Sequence, residues 1–99
     1  MITHLSPIID KLFKEYKDQH KAEDSLSEIE LFLYAFCRDY QLAGEIHTVN
    51  NKFYFVVKHP TFTMESKILK QTYKQAAEDC IYYCDIMLQA LIDTKEKHE

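Results

Sequence analysis

The stretch Glu45-Ile46-His47-Thr48-Val49-Asn50-Asn51-Lys52-Phe53-Tyr54-Phe55-Val56-Val57-Lys58 decides how this chain of 99 residues is read. Before it, apolar residues recur every three or four positions; within it they alternate. Asn50 and Asn51 interrupt the alternation, and asparagine tolerates positive φ. Two such residues between alternating runs predict a β-hairpin with a tight turn. In that register Ile46, Phe53, Phe55 and Val57 share one face, while His47, Val49, Lys52, Tyr54, Val56 and Lys58 share the other. The first face reads as core and the second as mostly wet. A lone two-stranded hairpin is marginal in water, so it has to lean on helices or pair across a dimer.

Towards the N-terminus the period is helical. Ser6 can cap and Pro7 suits a first helical position, and Ile8, Ile9, Leu12, Phe13 and Tyr16 form one stripe, predicting a helix over about 7–22. A second helix is expected over about 26–43. Ser25 to Glu28 reads as a capping box, and Leu26, Ile29, Phe32, Leu33, Phe36 and Tyr40 form its stripe. Gly44, the single glycine, stands where a left-handed C-terminal residue is wanted. A short link makes the two helices an antiparallel pair.

Towards the C-terminus, Pro60 ends the second strand, Thr61 or Thr63 caps, and Glu65 sits in a first turn. A helix is expected from about 64 to 95, with no further Gly or Pro to stop it. Of the thirteen residues from Cys80 to Ile92 only Asp85 and Gln89 are polar. The wheel places both on a narrow polar stripe and makes most of the circumference apolar. An ordinary surface helix shows an apolar arc of somewhat over about 100°. This helix is therefore expected to pack on two sides, one of them a second copy of the chain. Tyr83, Met87, Leu88, Leu91 and Ile92 are the expected dimer interface, with Tyr82 and Met64 adding an adaptable surface.

The fold class expected is α+β, mainly α: an antiparallel helical hairpin, one two-stranded β-hairpin and a long C-terminal helix, in a single domain over 1–99. A hydrophobic fraction of 46%, with seven Tyr and six Phe, supports a packed core and argues against disorder. No apolar run approaches the roughly 20 residues of a membrane span, and the opening residues, without a cationic start or a long apolar core, are not expected to act as a signal peptide. Three cysteines, Cys37, Cys80 and Cys84, fit a reducing, cytoplasmic setting.

Chemical motifs are few. Cys80 and Cys84 could seat a metal only if His47 and His59 joined them, and core thiols are the simpler reading. There is no nucleophile elbow, no glycine-rich phosphate loop and no paired-carboxylate motif. Neither enzymatic activity, metal nor cofactor is expected. Charge is more informative. Residues 52–74 carry five lysines against Glu65 alone, within a chain of net charge −4. His47, Lys52, Tyr54 and Lys58 fall on one hairpin face, and Lys67, Lys70 and Lys74 on one face of the expected helix. These seven are the expected partner-binding residues, facing an acidic protein.

The order helix, helix, hairpin, long helix resembles winged-helix transcriptional regulators with a C-terminal dimerisation helix. That resemblance implies duplex DNA binding through the hairpin and Lys67, Lys70 and Lys74. The chain departs from the pattern in having two helices rather than three before the wing, and an acidic, aromatic second helix. The leading expectation is a non-enzymatic interaction protein, homodimeric through its last helix, that regulates, inhibits or chaperones a protein partner.

Overall fold

The computed structural model describes residues 5–20 and 26–97, with side chains of the last helix to Thr94. Among them lie three helices and a three-stranded antiparallel sheet of order β1-β2-β3. The class is α+β and mainly α, as the sequence indicates. The two-stranded hairpin is corrected to three strands.

Helix α1 spans Pro7–Gln19, with Ile9, Phe13 and Tyr16 buried and Pro7 in its first turn. It ends sooner than expected, His20 following it with φ −116°. The expected end at Ala22 and the expected cap Ser25 lie outside the described residues. The second helix is instead capped by Ser27, whose hydroxyl accepts from the Glu30 amide. It opens as α2 (Glu28–Glu30), widens into a π-helical segment over Leu31–Phe36 and tightens to 3₁₀ over Cys37–Tyr40. Leu31, Phe32, Leu33, Ala35, Phe36 and Cys37 are all buried, so this segment is packed on nearly every side. Phe13 meets Phe32 edge-on at 5.2 Å and Phe36 at 5.4 Å, which locks α1 onto it.

Gly44 does not end this helix. Gln41 does, at φ 61°: the amide of Gln41 donates to the Arg38 carbonyl (2.9 Å) and that of Leu42 to the Cys37 carbonyl (3.0 Å). This is the Schellman arrangement, with buried Leu42 as its apolar anchor. Gly44 lies in β1 (Ala43–Val49) for a different reason. A Cβ there would stand 2.9 Å from Leu33 Cδ2 and 3.1 Å from Cys80 Sγ. The glycine admits close approach of strand, second helix and last helix.

The hairpin forms in the expected register. Val49 faces Lys52 across Asn50 and Asn51, whose φ values of 51° and 65° fit a type I′ turn, and Ile46 faces Phe55. β2 (Lys52–His59) then turns at Pro60 and Thr61 into β3 (Phe62–Glu65), pairing His59 with Phe62 and Val57 with Met64. Residues expected to start the last helix are thus an edge strand. Residues 66–69 loop out, and the chain returns to β2 at Lys70, which exchanges two backbone hydrogen bonds with Phe53 (2.8 and 2.7 Å).

Helix α3 starts only at Tyr73 and runs to Lys97. Thr72 is its cap: its hydroxyl accepts from the Gln75 amide at 3.1 Å. Ala76, Ala77, Cys80, Ile81, Cys84 and Leu88 are buried. This inner face lies on the sheet face that carries Gly44 and Phe55, and Phe55 stacks against Tyr83 at 5.4 Å.

Candidate functional site

Asp85 fixes which way α3 faces. Its expected place is a solvated stripe; the structure buries it to 5% exposure. Its carboxylate accepts from the Ser6 amide (2.7 Å) and hydroxyl (2.8 Å), and from Gln89 Nε2 (3.1 Å). Three donors make that burial tolerable. The anion also sits at the N-terminus of α1, where the helix dipole favours it. Asp85 is therefore a structural clamp between the start of α1 and the middle of α3. With Asp85 turned inward, the outward arc of α3 is displaced from the expected one.

That outward arc is apolar at its centre. Tyr82 is 57% exposed, Ile86 45% and Tyr83 41%. Leu88 is fully buried under its own chain, so its assignment to a dimer interface is corrected. Met87, Leu91 and Ile92 are half-buried, and Met87 and Ile92 lean on the core. Of the five expected interface residues only Tyr83 is substantially open. Ile86 is the residue that sequence reasoning missed. Its one available signal was the i, i+4 spacing from Tyr82.

Beside this face lies a cleft of about 270 Å³ lined by Phe55, Met64, Glu65, Ser66, Lys67, Ile68, Asp79 and Tyr83. The loop 66–69 makes its far wall, held by Ser66: its amide donates to the Phe55 carbonyl and its hydroxyl to the Ile68 carbonyl (2.9 Å). Ile68, 69% exposed, crowns that wall. Tyr82 packs edge-on to Tyr83 at 5.4 Å, so Ile68, the cleft, Tyr83, Tyr82 and Ile86 form one continuous surface.

The lysine island is divided by the sheet. His47, Lys52, Tyr54 and Lys58 do share the face turned away from α3, with His47 stacked on Tyr54 at 5.3 Å. Lys58 there pairs with Glu45 at 2.9 Å. Lys67, Lys70 and Lys74 do not share a helix face, because the helix begins after the first two: Lys67 lines the cleft, Lys70 bridges to Asp79 at 3.1 Å, and Lys74 lies in the first turn of α3. Lys52, Lys67 and Lys74 are solvent-exposed.

The three thiols meet in the core. Cys80 and Cys84 stand 4.0 Å apart, and all three are fully buried. A hydrogen bond with Cys84, then burial, pushes the Cys80 thiol far above its usual range; at Cys84 a hydrogen bond with Cys37 and burial raise the thiol and outweigh the bond with Cys80, which lowers it. Such thiols are poor nucleophiles. His47 lies on the opposite face of the sheet, away from them. Among the described residues no group of three or more His, Cys, Asp or Glu side chains is placed to hold a metal ion, and no helix is long and apolar enough to cross a membrane.

Compared with known proteins, the chain matches no family model, no curated protein and no solved structure.

Proposed function

We propose that the protein is a small non-enzymatic interaction protein that self-associates through the outer face of α3 and regulates, inhibits or chaperones a protein partner. The observation that carries this reading is the exposed apolar surface of Tyr83, Tyr82 and Ile86, with Ile68 across the cleft from Tyr83, which the described residues leave uncovered. Contiguous exposed apolar side chains rimmed by polar residues mark association surfaces, and tyrosine is enriched in them. The lysine-bearing face of the sheet, with Lys52 unpaired among the described residues and His47 on Tyr54, is the surface proposed for an acidic partner.

Duplex DNA binding, the second reading, has less support. Two of the seven expected residues, Lys58 and Lys70, are matched by Glu45 and Asp79, and the remaining lysines are spread over both sides of the sheet. A phosphate-binding surface needs several cations on one side.

Light scattering over a concentration series tests the proposal. The wild type is expected to shift from monomer towards dimer as the series rises from micromolar towards about millimolar concentration. Ile86→Glu, a charge placed in the middle of an exposed patch, is expected to remain monomeric and folded. A strictly monomeric wild type sinks the reading.

A further inference from the structure

The outer face of α3 has an internal symmetry that identifies its occupant. Gln75, Asp79, Tyr82, Ile86, Gln89 and Asp93 follow one another at spacings of four, three, four, three and four. This is the spacing of a coiled-coil seam, with its apolar pair, Tyr82 and Ile86, at the centre and polar residues to either side. None of the six is fully buried: Gln75, Tyr82, Ile86 and Asp93 are exposed, and Asp79 and Gln89 are half-exposed. The row is symmetric about position 84, midway between Tyr82 and Ile86.

A two-fold axis at that point places unlike residues opposite one another. Tyr82 meets the partner's Ile86, Asp79 meets the partner's Gln89, and Gln75 meets the partner's Asp93. Each carboxylate on the seam then faces a side-chain amide that can donate to it. Lys74, in the turn beside Gln75, lies close to the partner's Asp93 as well. Asp79 keeps its ion pair with Lys70, since a carboxylate has acceptor positions to spare. Gln89 keeps one N–H free after its bond to Asp85. A parallel pair would instead set Asp79 against Asp79 and Asp93 against Asp93, like charges opposite one another with no seam amide facing either.

The geometry points to an antiparallel homodimer, two copies of α3 crossing at position 84 with Tyr82 against the partner's Ile86 and each seam carboxylate against a glutamine. This rests on the reading of α3 as a self-association surface and specifies its occupant and orientation. The seam from Gln75 to Asp93 is about 27 Å long at 1.5 Å per residue. A strip of that length and about 10 Å width is well below the roughly 800 Å² per partner of a standard interface. The dimer is therefore weak and concentration-dependent.

Cross-linking separates the orientations. Gln75→Cys and Asp93→Cys, each on an exposed position, are made as separate proteins; the native cysteines are fully buried and do not compete. Treated with a short bis-maleimide, the mixture of the two is expected to yield covalent dimer at least about tenfold above either variant alone. Efficient self-cross-linking of Gln75→Cys shows a parallel pair and overturns the proposal. Absence of cross-linking in a mixture that light scattering shows to be dimeric places the interface elsewhere and also overturns it. A monomeric mixture, with a monomeric wild type, removes the underlying reading of α3 itself.

Discussion

In the central turns of α3, from Cys80 to Leu88, the two sides differ in size of side chain more than in polarity. Inward lie Ala76, Ala77, Cys80, Ile81, Cys84 and Leu88, four of the six small; outward lie Tyr82, Tyr83 and Ile86, all large. The small residues let the helix approach the sheet where Gly44 presents no Cβ. On the far side Tyr83 packs on Phe55 and Tyr82 edge-on to Tyr83, yet these two and Ile86 keep much of their surface exposed. In these central turns hydrophobicity alone does not tell the two sides apart, because Tyr82, Tyr83 and Ile86 are apolar too; the partners of Asp85 decide the rotation.

The largest expected effect separates the sides directly. Leu88 is fully buried, and Leu88→Ala removes core methyl groups and leaves a cavity, which destabilises by about 2–5 kcal/mol. Ile86→Ala, two residues away but outward, is expected to change monomer stability by no more than about 0.5 kcal/mol. Urea unfolding at protein concentrations low enough to keep the chain monomeric measures both. Equal losses would erase the distinction between the two faces.

A second test uses the thiols of the inner face. Cys80 and Cys84 hold their protons more tightly in the folded chain than in the unfolded one, where a thiol ionises near about pH 8.5. The native state is then the proton-binding state. Stability from these groups is fully present below about pH 8.5 and falls above it by about 1.4 kcal/mol per pH unit per thiol. Tyr40 and Tyr73, whose values burial also raises, join only above about pH 10. Unfolding midpoints between pH 7.5 and 9.5, as a chosen window of about two units, should slope steeply in the wild type and far less in Cys80→Ala/Cys84→Ala. An unchanged slope in the variant means the thiols are not the source.

These residues also show what the sequence makes legible. The hairpin register was readable because side chains alternate at period two and Asn50-Asn51 takes positive φ. α1 was readable from its stripe and Pro7. β3 was not: Phe62–Glu65 is four residues, too few to display alternation, and Met64 and Glu65 are good helix formers. Asp85 was not, because its main partner, Ser6, is 79 positions away. On the candidate surface Tyr82 and Tyr83 stood out as a pair, whereas Ile86 was hidden by a polar stripe drawn through Asp85. The lysines were countable, but their division between two sides of the sheet depends on where α3 begins.

Gly44 tests the smallest step, the close approach behind the inner face. Gly44→Ala would restrict the unfolded chain, which stabilises by about 0.4–1 kcal/mol where the native backbone accepts a side chain. Against this, the new methyl meets Leu33 Cδ2 at 2.9 Å and Cys80 Sγ at 3.1 Å. Overpacking in a closed core costs about 1–3 kcal/mol, so the net expectation is a loss of about 1 kcal/mol. Leu33 alone could give way by shifting a terminal methyl; Cys80 is held by the helix. Combining Gly44→Ala with Cys80→Ala removes the sulfur and should lose less than the two single changes added together, since residues in contact are non-additive. Strict additivity in the cycle would mean that the approach of α3 to β1 is set by something other than this glycine. The small inner face would then be a matter of composition and not of distance.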